Sequence, residues 1–340
     1  MKKTLIAAAL FAGFAGAAHA QSSVTLYGIV DAGLHYNKFD GAQSTVGIDS
    51  GNAAQSRWGI RGVEDLGNGL KAVFTLESAI AVDNGNNLAG GLFRREATVG
   101  LASNTAGELR MGRQTNLGFR WVGGLGNSFG LGYGGGKATN FMAYNNAAEF
   151  GGRSDNSIYY VSPNFSGFQF GAGYSFNING GEVPGSSNNN RLVDIGLRYS
   201  AGPLAVAAAY QQADIAGAAP TAKNFQIAGS YDFGIVKAHL GFAQAKNVYN
   251  ALAWQTNANN KNNVYTMGVS APLGAGRVMF AYNHVDHKTA NQTRDHFQLG
   301  YTYDLSKRTQ VYTFLGQGRY DVARVNDSAK EFALGLRHSF

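Results

Sequence analysis

The sequence predicts an all-β fold, a 16-stranded antiparallel transmembrane β-barrel with short turns at one end and long loops at the other. Three observations predict it. From Lys330 to Phe340, the residues Phe332, Leu334, Leu336, His338 and Phe340 alternate strictly with Glu331, Ala333, Gly335, Arg337 and Ser339, a period of two that means a strand with one greasy and one wet face. Similar segments of about ten residues recur along the whole chain. Short and long connections between them alternate, as in barrels that cross a bilayer.

The elements follow in order. Lys2 and Lys3 precede an apolar run from Leu5 to Ala18 and a small-x-small site at Ala18-His19-Ala20, which is the pattern of a cleaved secretory leader over residues 1–20. That run is too short to span a bilayer as a helix, so residues 21–340 are expected to form one barrel domain. Strands are expected at Ser22 to Asn37, Ser56 to Leu66, Leu70 to Ala81, Phe93 to Ser103 and Glu108 to Gln114. A connection from Thr115 to Arg153 then breaks the rhythm, and loops beyond ~15 residues are usually functional. The rhythm resumes at Ser154 to Ser162, Gly167 to Asn177, Arg191 to Ser200, Leu204 to Gln212, Lys223 to Tyr231 and Ile235 to Ala245. It closes with Asn262 to Ala271, Arg277 to Asp286, Arg294 to Tyr303, Thr309 to Gly318 and Ala329 to Phe340. The even count puts both ends on one side, where Gln21 and Phe340 can meet. Barrels of 16 to 18 strands enclose an aqueous channel, whereas eight are filled by side chains.

Composition narrows the function. Glycine is 47 of 340 residues, aromatics are 12% and prolines only five, a mixture that suits many strands and tight turns. No cysteine is present, which excludes disulfides and thiol chemistry. Without Lys2 and Lys3 the 28 basic residues fall by two against 21 acidic ones, a formal net charge of +5. These charges are spread over the strands without a run, so luminal and rim positions explain them better than nucleic-acid binding. The pair in His284-Val285-Asp286-His287 sits three apart on a strand and points to opposite faces, short of the three or four convergent ligands a zinc site needs. Gly124-x-Gly126-x-x-x-Gly130 precedes no helix pattern, so a nucleotide loop is not supported.

Parity assigns two cations. Trp58 and Ile60 must face lipid or a neighbouring subunit, which turns Arg57, Gly59 and Arg61 inward. Arg94 and Arg95 must face opposite ways. An arginine at the bilayer midplane costs ~2 to 4 kcal/mol, so an outward Arg94 belongs at a rim or in a subunit contact, and Arg113, on the face of Leu109 and Met111, is likewise a subunit-contact candidate.

Four motifs carry a family resemblance: Val24-Thr25-Leu26-Tyr27-Gly28, Ser56-Arg57-Trp58-Gly59-Ile60-Arg61-Gly62-Val63-Glu64-Asp65-Leu66-Gly67, Ala97-Thr98-Val99-Gly100-Leu101 after Arg95, and the segment Asn156 to Gly167. In this order they resemble the trimeric porins of Gram-negative bacteria, in particular the beta-proteobacterial, anion-selective branch. The ending on Phe340 resembles the C-terminal strand of outer-membrane barrels, whose last aromatic is part of the signal read by the barrel-assembly machinery. The resemblance implies short periplasmic turns, long external loops, and a third loop, about residues 115–153, folded into the lumen. Ala148-Glu149-Phe150-Gly151-Gly152 is similar to the family's constriction-loop tip. That likeness makes Glu149 the loop acid facing a wall of Arg57, Arg95 and Arg153, with Arg61 beside them, and selects Arg95 as luminal. The Gly-rich run from Gly123 to Gly136 departs from the family pattern.

The implied function is a homotrimeric outer-membrane channel for passive diffusion of small hydrophilic solutes and inorganic anions, without cofactor or metal. Lipopolysaccharide and other outer-membrane lipid would surround it. The rivals are a barrel enzyme of lipase or protease type, a surface adhesin and a solute-specific channel. An enzyme would need a nucleophile beside a base, and no motif unites His35, His239, His284, His287 or His296 with a serine. An adhesin would need one very large external domain, and a specific channel a dense luminal ladder of lysines or aromatics.

Overall fold

The computed structural model describes residues 22–40, 42–131, 152–185, 188–217, 220–248, 260–289, 291–322 and 325–340. The strands are β1 (Ser23–Phe39), β2 (Thr45–Ser50), β3 (Arg57–Gly67), β4 (Leu70–Ala79), β5 (Glu96–Ser103), β6 (Gly107–Thr115), β7 (Arg153–Val161), β8 (Phe168–Ser175) and β9 (Arg191–Ala201). They continue as β10 (Leu204–Asp214), β11 (Ala222–Asp232), β12 (Lys237–Lys246), β13 (Lys261–Leu273), β14 (Gly276–His287), β15 (Gln292–Asp304), β16 (Thr309–Val322) and β17 (Val325–Ser339). Every pairing is antiparallel; from β3 to β17 each strand pairs the next in the chain, and β1 closes the ring on β17 from Ile29↔Ser339 to Phe39↔Ala329.

The sheet has sixteen staves. On its other edge β1 pairs β3 from Ser23 to Ile29 and β2 from Ala32 to Asn37, so β2 and β3 are two halves of one stave. Between them Gly51 to Ser56 leaves the ladder and turns inward, where Asp31 accepts the backbone N–H of Ala53 (2.9 Å) and Ala54 (2.6 Å). The sequence reading missed β2 because Thr45 to Ser50 is exposed on both faces toward its outer end, so no alternation marks it. β16, β17 and β1 overrun their expected boundaries at the same end.

Polarity is inverted relative to a soluble protein. Outward Val24, Leu26, Val99, Leu240 and Leu299 are all at least half exposed, whereas inward Asp194, Asn224, Gln226, His296 and Gln298 are buried. A contiguous apolar exterior far above a few hundred Å² is tolerated only where lipid replaces water. Aromatic pairs border it at both ends, Tyr231 with Phe233 at 4.6 Å by the short turns and Tyr174 with Phe176 at 4.9 Å by the long loops, the girdles of a membrane barrel.

The seam is tight. Gly28 and Phe340 exchange both backbone hydrogen bonds at 3.1 Å, and a Cβ on Gly28 would lie 2.4 Å from the Phe340 ring. Only glycine lets that ring lie over β1.

The described part of the third loop, residues 116–131, lies inside. Leu117 N donates to the buried Asp194 carboxylate (2.6 Å), which also receives Tyr159 Oη (3.2 Å), and a short π-helix, Gly118–Val122, follows. The chain then crosses the wall: Leu125 O meets His239, Gly126 O accepts Thr266 Oγ1 (2.6 Å), Asn127 reaches Asn283 (3.1 Å) and Ser128 reaches Phe280 O (2.6 Å). Phe129 packs among Ala53, Met279, Tyr312 and Phe314. The wall beneath is small where the loop rests: Gly171 and Gly196 leave room for Leu117 and Trp121, Gly268 for Ser128 and Gly300 for Phe129.

Candidate functional site

The charged cluster forms where β1, β3, β4 and β5 pass the inturned Gly51 to Ser56 segment. Cross-strand register places Ile29, Arg57 and Ala79 on one luminal row, Tyr27, Gly59, Glu77 and Glu96 on the next, and Thr25, Arg61, Thr75 and Thr98 below. Directly opposed residues share a face, so all of these point into the lumen.

Glu77 is the hub. Its carboxylate accepts Arg95 Nε at 2.5 Å and Tyr27 Oη at 3.0 Å, and Arg57 Nε lies 3.5 Å away. Arg95 reaches on to the Gln55 side chain, and Arg57 Nη1 donates to the Gln55 carbonyl at 3.2 Å. Arg61 lies over the Tyr27 ring, 5.2 Å from its centroid, a cation–π contact that ties it to the same hub. Arg153 pairs with Thr115 across the β6–β7 ladder and lies within Coulombic reach of Arg95, Glu96 and Glu77. Glu96 accepts Thr115 Oγ1 at 2.7 Å.

Of the residues singled out from sequence, Arg57, Arg61, Arg95 and Arg153 therefore share one wall. Glu149 lies outside the described residues. Arg113 keeps the outward parity of its partner Ala97, where its guanidinium is held by Asp155 and by the Arg94 carbonyl at 2.5 Å, with Arg94 Nη1 3.5 Å from the same carboxylate. That ion cluster offsets the cost of two outward arginines. The expected spread of His284 and His287 is also present, the first with Asp295 (2.8 Å) and the second with Asn262 (2.7 Å).

Sequence reasoning overlooked the wall's own acids, Glu77 and Glu96, and two further members, Tyr27's hydroxyl contact and Arg337. The signal was there: Glu77 shares the parity of Val73 and Thr75, and Arg337 opposes Asp31 in the seam. Gln55 had no such signal, because it lies in an irregular segment between two half-strands.

Even without Arg337, the four guanidinium groups of Arg57, Arg61, Arg95 and Arg153 against the two carboxylates of Glu77 and Glu96 leave a net positive wall. A wall of one sign beside low-dielectric surroundings concentrates the opposite charge, and the described half of the third loop narrows the space it faces. The arrangement contains no adjacent nucleophile and base.

A family model described as Gram-negative porin matches residues 5–323. The chain belongs to the Gram-negative porin family. It is 39% identical to an outer membrane porin protein of Bordetella pertussis over the whole of both chains. Outer membrane porin protein 32 of Delftia acidovorans is 37% identical over 92% of this chain and 88% of its own. Among solved structures, the anion-selective porin from Comamonas acidovorans superposes with a TM-score of 0.80 at 32% identity, covering 94% of this chain and all of the other. Salmonella typhi OmpF matches in fold alone, with a TM-score of 0.74 at 17% identity.

As an outer-membrane porin, the molecule has its short turns at the periplasmic end and its long loops outside, the arrangement of this barrel class. The charged wall then lies near the external end of β3 and β4, with Arg61 on its periplasmic side.

Proposed function

We propose that the lumen is a water-filled channel for passive diffusion of small hydrophilic solutes that favours inorganic anions over cations. The observation that carries this is the excess of Arg57, Arg61, Arg95 and Arg153 over Glu77 and Glu96 on one luminal wall. A relative described as an anion-selective porin supports it. The relatives are channels, and the reading assigns this chain no catalytic step. Arg57 and Arg95 are shared between Glu77 and Gln55, which fixes their heads toward the passage while leaving their charge only partly offset. Glu149, on the remaining part of the third loop, is the proposed opposing acid.

The reading extends to processing and assembly. Residues 1–20 are removed as a leader, residues 21–340 form one barrel, and the Phe340 strand is read by the barrel-assembly machinery. Three copies associate, with Arg113 as a subunit contact, and lipopolysaccharide surrounds the trimer. Purified mature protein in a planar bilayer should give conductance steps grouped in threes and an anion-favouring zero-current potential. Arg57→Ala with Arg153→Ala should abolish the anion preference while the steps persist. Folded protein that gives no steps would sink the channel reading. Steps with an unchanged preference in the double variant would remove these two arginines from the filter.

A further inference from the structure

The geometry points to a binding site for a phosphorylated lipid of the outer leaflet on the outer surface of β11, β12 and β13, an inference that rests on the outer-membrane porin reading. Lys223 stands directly opposite Lys246, and Lys246 directly opposite Lys261. Each shares the outward parity of its strand, with Phe225, Phe242 and Tyr265 below, and all three side chains are exposed. Adjacent strands lie ~4.8 Å apart, so three ammonium groups form one short row at the external edge of the apolar band. Like charges placed directly opposite destabilise a sheet. Among the described residues none of the three has a carboxylate within ion-pair distance. The flanking acids are engaged elsewhere, Asp214 with Thr221 Oγ1 (2.7 Å) and Asp286 with Lys288.

The surface beneath the row is built to match a lipid. First comes a polar step, Gln244 Nε2 donating to Asn263 Oδ1 at 3.0 Å. Below it an open groove of about 440 Å³ is lined by Val206, Ile227, Leu240, Phe242, Met267 and Tyr282. Gly229 leaves the groove open, because it contributes no side chain; a Cβ there would meet only the Ala205 carbonyl oxygen at 3.3 Å and Val206 Cγ2 at 3.4 Å. Ammonium groups at the headgroup level, amide groups under them and an apolar slot pointing toward the bilayer centre complement phosphate, polar linkage and acyl chain in that order. The centre of this face, β12, lies five staves from β17, about a third of the way round the barrel from the β17–β1 seam, so subunits that meet at the seam leave it open to lipid. Basic residues at a membrane surface attract anionic headgroups. The occupant is therefore a lipid, with its chain in the groove, rather than free phosphate.

The test titrates detergent-solubilised mature protein with bisphosphorylated lipid A, the same lipid stripped of phosphate, and inorganic phosphate, counting bound lipid by native mass spectrometry. Wild type should hold lipid A and lose affinity for the stripped form. Lys223→Gln with Lys246→Gln and Lys261→Gln should weaken lipid A about a hundredfold, from roughly fivefold per lysine. Gly229→Trp should weaken both lipids by filling the groove. Lipid A affinity within about twofold of wild type in the triple lysine variant overturns the site, and displacement of lipid A by equimolar inorganic phosphate overturns the lipid as its occupant. Bilayer conductance of the same lysine variant is expected to be unchanged, so loss of the lipid site and loss of the channel reading are separable.

Discussion

Glu77 shows how one carboxylate can position several cations without neutralising them. It is nearly buried and takes hydrogen bonds from Arg95 and Tyr27 with Arg57 beside it. Glu77→Gln keeps the shape and removes the charge, so the wall gains net positive charge. The zero-current potential of this variant should shift further toward the anion limit, and its thermal unfolding should show a loss of about 1 to 3 kcal/mol from weakened charge-assisted hydrogen bonds. A shift toward cations would refute the assignment of the wall. Gly28 is the second residue on which much depends. Gly28→Leu places side-chain carbon into the Phe340 ring, and the expected result is slowed or failed barrel closure, read as loss of heat-resistant migration of the folded band on gels. The inward parity of Arg57 and Arg61 was legible because a strand's period of two admits no other placement beside Trp58 and Ile60. Glu77 obeyed the same rule, but a lone acid in a strand carries no motif to draw attention to it.

At the scale of elements, the third loop is anchored by packing rather than by its own structure. Trp121 is buried against the small wall of β8 and β9 and lies 4.9 Å below the Arg198 guanidinium. Trp121→Ala should cost about 3 to 5 kcal/mol of packing, and the expected readout is frequent brief closures or widened conductance in single-channel records. The outer end of the seam is held differently. Asp40 accepts Ser328 N at 2.9 Å and returns a bond from its own N–H to Ser328 O, and those hydrogen bonds keep its carboxyl below the ordinary range. Because the folded value is the lower one, this clamp is present above the ordinary ~3.9 and is lost as the solution is acidified through the folded value. Amide exchange at Ser328 should therefore accelerate only in strong acid. The loop's existence was legible from its length, but its route was not. The glycines and alanines that receive it, such as Gly171, Gly196 and Ala228, read in the sequence as ordinary small strand residues. β2 was equally hidden, since a hairpin standing in water needs no alternation.

For the whole molecule, the inverted distribution of polarity is the main physical fact. Among the described residues, apolar side chains face outward on every stave and the interior holds charges, amides and the inturned segment 116–131, so the fold is stable only where lipid meets one surface and water fills the other. The lumen's net positive lining makes a definite claim about ion flow. The most direct check is the zero-current potential across a planar bilayer under a fixed salt gradient, recorded first near ~0.1 M and again near ~1 M, where the Debye length falls from ~10 Å to ~3 Å. An anion-favouring potential that shrinks at the higher salt is the expected result. A cation-favouring potential, or one indifferent to salt, would contradict the arginine wall as the source of selectivity.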